Sequence, residues 1–327
     1  MTRALCVGEC MVEVRHVDAS TARIGHAGDT YNTAAYLRRT ADQLGVDLEV
    51  GYLTGLGSDE DSADMRAAWA AERVMDRSVL LEGLLPGLYT VRVDDHGERR
   101  FSYWRSASAA RHLFATTEWV EQLDAEVVHL SGITLQLTSP ATREALRHRL
   151  AALRSAGALV SFDTNYRPSG WSDPRDAARV MDEVSNVSSI VFATFEDEVA
   201  MHGCPSVPAA AARLAGLGVP EVVVKSGADG AHILTGGRAE HVPASPVDRV
   251  VDTTAAGDAF AGGYLAARVG GLPATDAGRI AAEVAATVVS HPGAIIPRSV
   301  PLVSSRPFWR DSHSSDSGPS FAPRGRG

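Results

Sequence analysis

The chain has 327 residues, 45% of them apolar and 22% charged, with a net charge of −9, the make-up of a globular protein able to bury a sizeable core. That balance excludes a general nucleic-acid binder, which needs a clustered basic face. Three cysteines, Cys6, Cys10 and Cys204, are too few for a disulfide framework and read as buried thiols of a reducing, cytoplasmic setting.

In chain order, "ALCVGECMVEV" (4–14) reads as a strand and "TYNTAAYLRRTADQLG" (30–45) as a helix ending at Gly45. The opening stretch lacks the anatomy of a signal peptide, and no apolar run in the chain approaches the ~20 residues that cross a bilayer. "LEVGYLTGLG" (48–57) follows as strand and turn, then "EDSADMRAAWAAERV" (60–74) as a helix. Region 87–105 differs in kind. Val91 and Val93 alternate with Arg92 and Asp94, an Asp95-His-Gly step turns the chain, and Phe101 and Tyr103 alternate on the return. This is the pattern of an antiparallel hairpin. It has too little core to stand alone, so it is expected to serve as a flap or as a contact between copies.

Short buried strands come next, at "AEVVHLSGI" (125–133), "GALVSFDTN" (157–165), "SSIVFATF" (188–195) and "PEVVVKSG" (220–227), each followed by loop or helix. Such alternation predicts a mostly parallel sheet covered by helices. Residues 304–327, rich in Ser, Pro, Gly and Arg, read as a disordered tail, which leaves 1–303 as one domain.

The chemistry concentrates in "VVDTTAAGDAFAGGYLAARVG" (250–270). Ala255, Ala256 and Gly257 carry almost no side chain and stand at the mouth of a helix. A ligand can approach the backbone there, and the first helical N–H groups point at it with the helix dipole behind them. That suits a phosphate group in transfer. Asp258 would repel a phosphate, but it suits a base taking a proton from an attacking hydroxyl; the plain alternative is a helix cap. Lys225 is the only lysine of the chain and is not preceded by glycine, so a Walker-type phosphate loop is absent.

"DTTAAGDAFAGGYL" resembles the C-terminal signature of the ribokinase-like (PfkB) carbohydrate kinases, with Ala255 where most members have glycine. The resemblance spans roughly 4–303. "AGDTYNTAAY", "LPGLYTV", "FSYWR", "FDTNYRP", "VVVKSGADG" and "GAIIPR" match in order and spacing, and together look like the 2-keto-3-deoxygluconate kinase branch. It implies an α/β fold, a ribokinase-like three-layer α/β/α sandwich with a small β-sheet lid. The implied reaction is transfer of the γ-phosphoryl group of ATP to the 6-hydroxyl of 2-keto-3-deoxygluconate. A fructokinase or ribokinase of the same family, and a non-catalytic nucleotide-binding regulator, are the alternatives.

Under this resemblance Asp258 is the catalytic base, and the backbone of Ala255, Ala256 and Gly257 forms the anion hole. Gly28, Asp29, Thr30, Asn32, Tyr89, Tyr103, Arg105 and Arg167 contact the sugar. Taken alone, Asp29 or Thr30 reads equally as a helix cap, and the arginines as surface residues. Asn165 and the run Lys225, Ser226, Gly227, Ala228, Asp229, Gly230 and Ala231 belong to the nucleotide site, where the bare pattern also fits an ordinary hairpin turn. Glu198 approaches Mg²⁺ through water, although Phe195 replaces the family's Asn and a solvated first helical turn explains the acids as well. ATP and Mg²⁺ are the implied cofactors, with use of a monovalent cation left open. The implied partners are a small sugar acid and a second copy of the chain at the lid, not nucleic acid or membrane.

Overall fold

The computed structural model describes residues 1–304 except 19 and 94–98. The expected turn at Asp95-His-Gly and, beyond Ser304, the expected tail lie outside the described residues. In chain order the strands are β1 (Thr2–Val7), β2 (Met11–His16), β3 (Ala22–Ala27), β4 (Leu48–Leu53), β5 (Gly55–Leu56), β6 (Met75–Asp76), β7 (Val79–Leu80), β8 (Gly87–Val93), β9 (Arg99–Trp104), β10 (Val127–Ser131), β11 (Leu159–Asp163), β12 (Ile190–Thr194), β13 (Glu221–Lys225), β14 (Ala231–Thr235) and β15 (Arg238–Val242). The helices are α1 (Asp29–Leu44), α2 (Glu60–Ala71), α3 (Ala109–Ala115), α4 (Gly132–Gln136), α5 (Pro140–Ser155), α6 (Pro174–Asn186), α7 (Phe195–His202), α8 (Val207–Gly216), α9 (Ala256–Val269) and α10 (Ala274–Val289).

Nine strands form the main sheet in the order β15-β14-β13-β12-β11-β10-β1-β4-β6. From β13 to β6 every pairing is parallel, and β14 and β15 close one edge as an antiparallel hairpin. Alternating side chains serve two cores. Cys6, Val50, Phe192 and Val223 face α1, α2, α9 and α10. Leu5, Val7, Val191, Val222 and Val224 face α3, α5, α6 and α8. Both faces are covered, which is why these strands read as unbroken apolar runs. Helix α1 ends where expected, at Gly45 with φ 70°, the left-handed cap that glycine adopts freely.

The first strand is corrected. Residues 4–14 are not one strand: β1 lies in the main sheet, and β2 belongs to a second sheet of order β3-β2-β8-β9. The chain turns at Gly8 and Glu9, and a Cβ on Gly8 would meet Thr30 Oγ1 at 2.3 Å. The expected hairpin β8–β9 is there, with Tyr89 opposite Tyr103. It gains β2 in parallel and β3 beyond it, so the lid is four-stranded. One lid face carries Met11, Tyr89 and Val91, which pack with Ala27 and Ala294 and reach Ala255. The parallel strands therefore end beneath the lid, where open α/β sheets bind ligands.

Candidate active site

Helix α9 opens beneath the lid. Its cap residue Ala255 adopts φ 61°, ψ 10° and supplies no side-chain bond to the helix start. The first intrahelical bond runs from the Ala259 N–H to the Ala255 carbonyl at 2.8 Å, and the Ala256 N–H leans on Thr253 O at 3.3 Å. The N–H groups of Gly257 and Asp258 precede that ladder, so they remain for a ligand. Left-handed backbone strains alanine by about 1–2 kcal/mol. Ala255→Gly should therefore stabilise the fold by up to ~1 kcal/mol, once the greater freedom of glycine in the unfolded chain is subtracted. Urea unfolding checks this, and a loss of stability would mean that the methyl contacts at the lid base outweigh the backbone strain.

Asp258 sits in the first turn of α9, yet its carboxylate does not cap the helix. It reaches across to α1, where Asn32 Nδ2 donates to Oδ2 at 2.8 Å, and Thr33 Oγ1 donates to the Asp258 carbonyl at 3.2 Å. Burial and the neighbouring carboxylates Asp29 and Asp163 push its pKa up to about 7, against the pull of Asn32 and Lys225. A carboxyl poised near neutrality is what a base needs.

Two buried networks flank it. Lys225, at the end of β13, donates to Asp163 Oδ2 at 2.6 Å, and a Cβ on Gly257 would lie 3.2 Å from its Nζ. The sole lysine of the chain thus stands at the anion-binding turn rather than at the tip of the 226–230 loop. Asp163 Oδ1 also takes the Asn165 N–H at 3.2 Å, and Asn165 Nδ2 donates to Asp29 Oδ2 at 2.8 Å. Asn165 holds φ 31°, the left-handed region that asparagine tolerates better than most residues. It bridges the strand ends to the sugar side.

The remaining sequence-selected residues divide by position. Gly28 is extended, and its Cβ would fall 2.1 Å from Glu9 O, so glycine permits a close backbone crossing. Thr30 is turned into the core, its hydroxyl 3.1 Å from Tyr52 OH. Tyr89 donates to Glu13 Oε2 at 2.6 Å, and Tyr103, 53% exposed, lies 5.8 Å from its ring. Arg105 is committed to Glu9, a carboxylate only 2% exposed that also takes the Ser108 hydroxyl. Its charge is already balanced at the lid base. Arg167 is exposed and donates to the Tyr166 carbonyl at 2.9 Å; among the described residues no carboxylate lies within ion-pair distance of it.

The 226–230 loop is a tight turn between β13 and β14, with Gly227 at φ 54° and Gly230 at φ 90°. It joins a hairpin and leaves the backbone of Ala228 and Asp229 at the surface, whereas Ala231 is buried opposite Lys225. Glu198 lies in the first turn of α7 and is fully buried. Arg213 binds its Oε2 at 2.8 Å, while Oε1 is buried without a partner. Sequence reasoning passed over Asp197, which accepts the Tyr166 N–H at 3.1 Å and whose pKa burial raises against the pull of Arg167. It also missed Glu9 and Asp163. Their signal is spatial, since both lie at strand ends facing the site.

The sequence profile of the pfkB family carbohydrate kinases matches residues 1–301. The chain belongs to this family. Among its relatives, the 2-dehydro-3-deoxygluconokinase of Escherichia coli K12 is 40% identical over 301 residues, covering 89% of this chain and 96% of that protein. The 2-dehydro-3-deoxygluconokinase of Dickeya dadantii is 40% identical over 306 residues, with the same coverage. A crystal structure of a PfkB protein from Polaromonas sp. JS666 superposes with a TM-score of 0.77 at 26% identity, covering 90% of this chain and 98% of that one. As a PfkB carbohydrate kinase, the chain places the family's small-residue turn and its aspartate at the mouth of α9, as the signature implies. No described helix is long and apolar enough to cross a membrane.

Proposed function

We propose that this PfkB kinase transfers the γ-phosphoryl group of ATP to the 6-hydroxyl of 2-keto-3-deoxygluconate, the compound also called 2-dehydro-3-deoxygluconate. The observation that carries the substrate is the 40% identity, over 96% of their length, to the kinases of that name. The site supports it. Asn32 fixes one oxygen of Asp258, and Oδ1 takes the proton of the acceptor hydroxyl. The N–H groups of Gly257 and Asp258, with Lys225 beside them, receive the charge of the moving phosphoryl group. Asp29 faces the sugar hydroxyls, Asn165 links it to Asp163 on the nucleotide side, Tyr103 covers the sugar from the lid, and Arg167 takes the substrate carboxylate.

Mg²⁺ fits as an ion carried in on the nucleotide phosphates. The described residues hold no group of three or more His, Cys, Asp or Glu able to cage a metal, and Mg²⁺ commonly takes one or two carboxylates plus phosphates and water. Asp197 and the unpartnered Oε1 of Glu198 would hold its waters, and the ion would neutralise phosphate charge. An ADP-release assay over a panel of sugar acids and neutral sugars tests the assignment. Preference for fructose or ribose over 2-keto-3-deoxygluconate would replace it with a neutral-sugar kinase.

The lid also supports a contact between two copies. Ile24 and Trp104, 73% and 60% exposed, share one face of the lid sheet by register with Val14 and Leu88. Light scattering behind size exclusion should give a dimer or larger assembly, and Trp104→Glu should weaken it. A monomeric wild type at micromolar concentration would remove this contact from the account.

A further inference from the structure

Arg15 stands on β2 in the lid, and its guanidinium crosses to the body of the protein. Nη1 lies 3.6 Å from Asp252 Oδ2, with the two side chains 23% and 14% exposed. Asp252 heads the loop that ends in the anion-binding turn. Its Oδ1 accepts the Thr254 N–H at 2.9 Å, and its Oδ2 accepts the Gly293 N–H at 2.9 Å. Gly293 has φ 92°, and a Cβ there would lie 3.1 Å from Arg15 Nη1. One carboxylate therefore ties together the loop leading to Ala255, the loop after α10 and, through Arg15, the lid.

The resemblance left open a monovalent cation. Such an ion, bound beside the anion turn, would be drawn to an anionic oxygen of that loop. The loop and the first turn of α9 offer two carboxylates, Asp252 and Asp258. Asp258 turns the other way, to Asn32 of α1. Asp252 already has an amide on each oxygen, and the positive guanidinium of Arg15 stands beside it. A second cation there would meet that charge at short range. The residues present do not fit a separate ion at Asp252.

We propose that Arg15 is a positioning residue that acts through Asp252. It supplies from the lid the positive charge that a monovalent ion would otherwise bring, so the anion turn is set without K⁺ or Na⁺. The activity arm of the test rests on the kinase reading above, and the melting arm does not. In tetramethylammonium chloride the wild type should turn over as fast as in KCl of the same ionic strength, and its melting temperature should be the same in both. Arg15→Ala should lose about tenfold or more in kcat in tetramethylammonium, the size of one charge-assisted contact. K⁺, but not tetramethylammonium, should restore much of that kcat and raise the melting temperature of the variant. A merely structural role would show no such ion-specific rescue.

Wild-type activation by K⁺ would overturn the proposal, as would an Arg15→Ala enzyme with normal kcat in tetramethylammonium or with no ion-specific response. Should Arg15→Ala fail to fold, Arg15→Lys, which keeps the charge, and the two wild-type measurements still decide. If the wild type phosphorylated no sugar acid but showed the ion-independent melting, and the variant the K⁺-dependent one, the kinase reading would fall while this inference stood.

Discussion

Asp258→Asn is expected to lower turnover by about 10²-fold or more while ATP binding stays nearly intact, the usual contribution of a general base. Asparagine keeps the size of the side chain and an oxygen for Asn32, but it cannot take the proton. The pH dependence follows from the raised pKa of about 7. The base must be ionised, so kcat/KM of the wild type should fall as pH drops below about 7. Stability runs the opposite way. The folded-state pKa lies above the ordinary value of 3.8, so the native state holds this proton more tightly than the unfolded chain does. Its contribution is best at low pH and is lost as pH rises from about 4 through 7. Asp258→Asn should thus be more stable than the wild type at pH 8, and the gap should close near pH 4. Normal turnover in the purified variant would remove Asp258 from the base role.

Arg167→Ala is expected to lose roughly 1.5–3 kcal/mol in kcat/KM with 2-keto-3-deoxygluconate, the range for a hydrogen bond to a charged group. A guanidinium can bond both oxygens of a substrate carboxylate. Arg105, the other candidate, already has a carboxylate partner in Glu9, so the larger effect is expected at Arg167. The loss should be much smaller with any neutral sugar that the enzyme accepts. Equal losses for acid and neutral sugars would show that Arg167 does not face the carboxylate.

Local features of this protein were legible in its sequence, and long-range pairings were not. The turn at 255–258 could be read because the small residues and Asp258 are consecutive. Helix α1 could be read because a periodic stretch runs into Gly45. The split between β1 and β2 was hidden because Cys6 and Cys10 are both buried and the apolar pattern crosses the break. The one local mark of the break is Gly8, and the crowding that requires glycine there is a property of the folded state. The same limit applies in the site. Asn32 and Asp258 are 226 residues apart, and Lys225 and Asp163 are 62 apart. Composition around either partner gives no hint of the other. The Glu9–Arg105 pair was equally hidden, since the two residues meet only where the lid sheet joins the body.

The solitary lysine has a practical outcome. Reagents that acylate amines, including those used to attach biotin, dyes or sensor surfaces, find two kinds of target in this chain: the terminal amine of Met1 and Lys225. The Lys225 side chain is 12% exposed and held by Asp163, whereas the Met1 amine lies at the surface, paired with Asp47, whose side chain is 77% exposed. Mild coupling should therefore tag the protein at one end and leave turnover intact. Forcing conditions that reach Lys225 should abolish turnover in proportion to its modification, and a saturating ATP analogue should slow that second step. Peptide mapping by mass spectrometry reads both amines separately, and unchanged Lys225 modification under the ATP analogue would place this lysine away from the nucleotide.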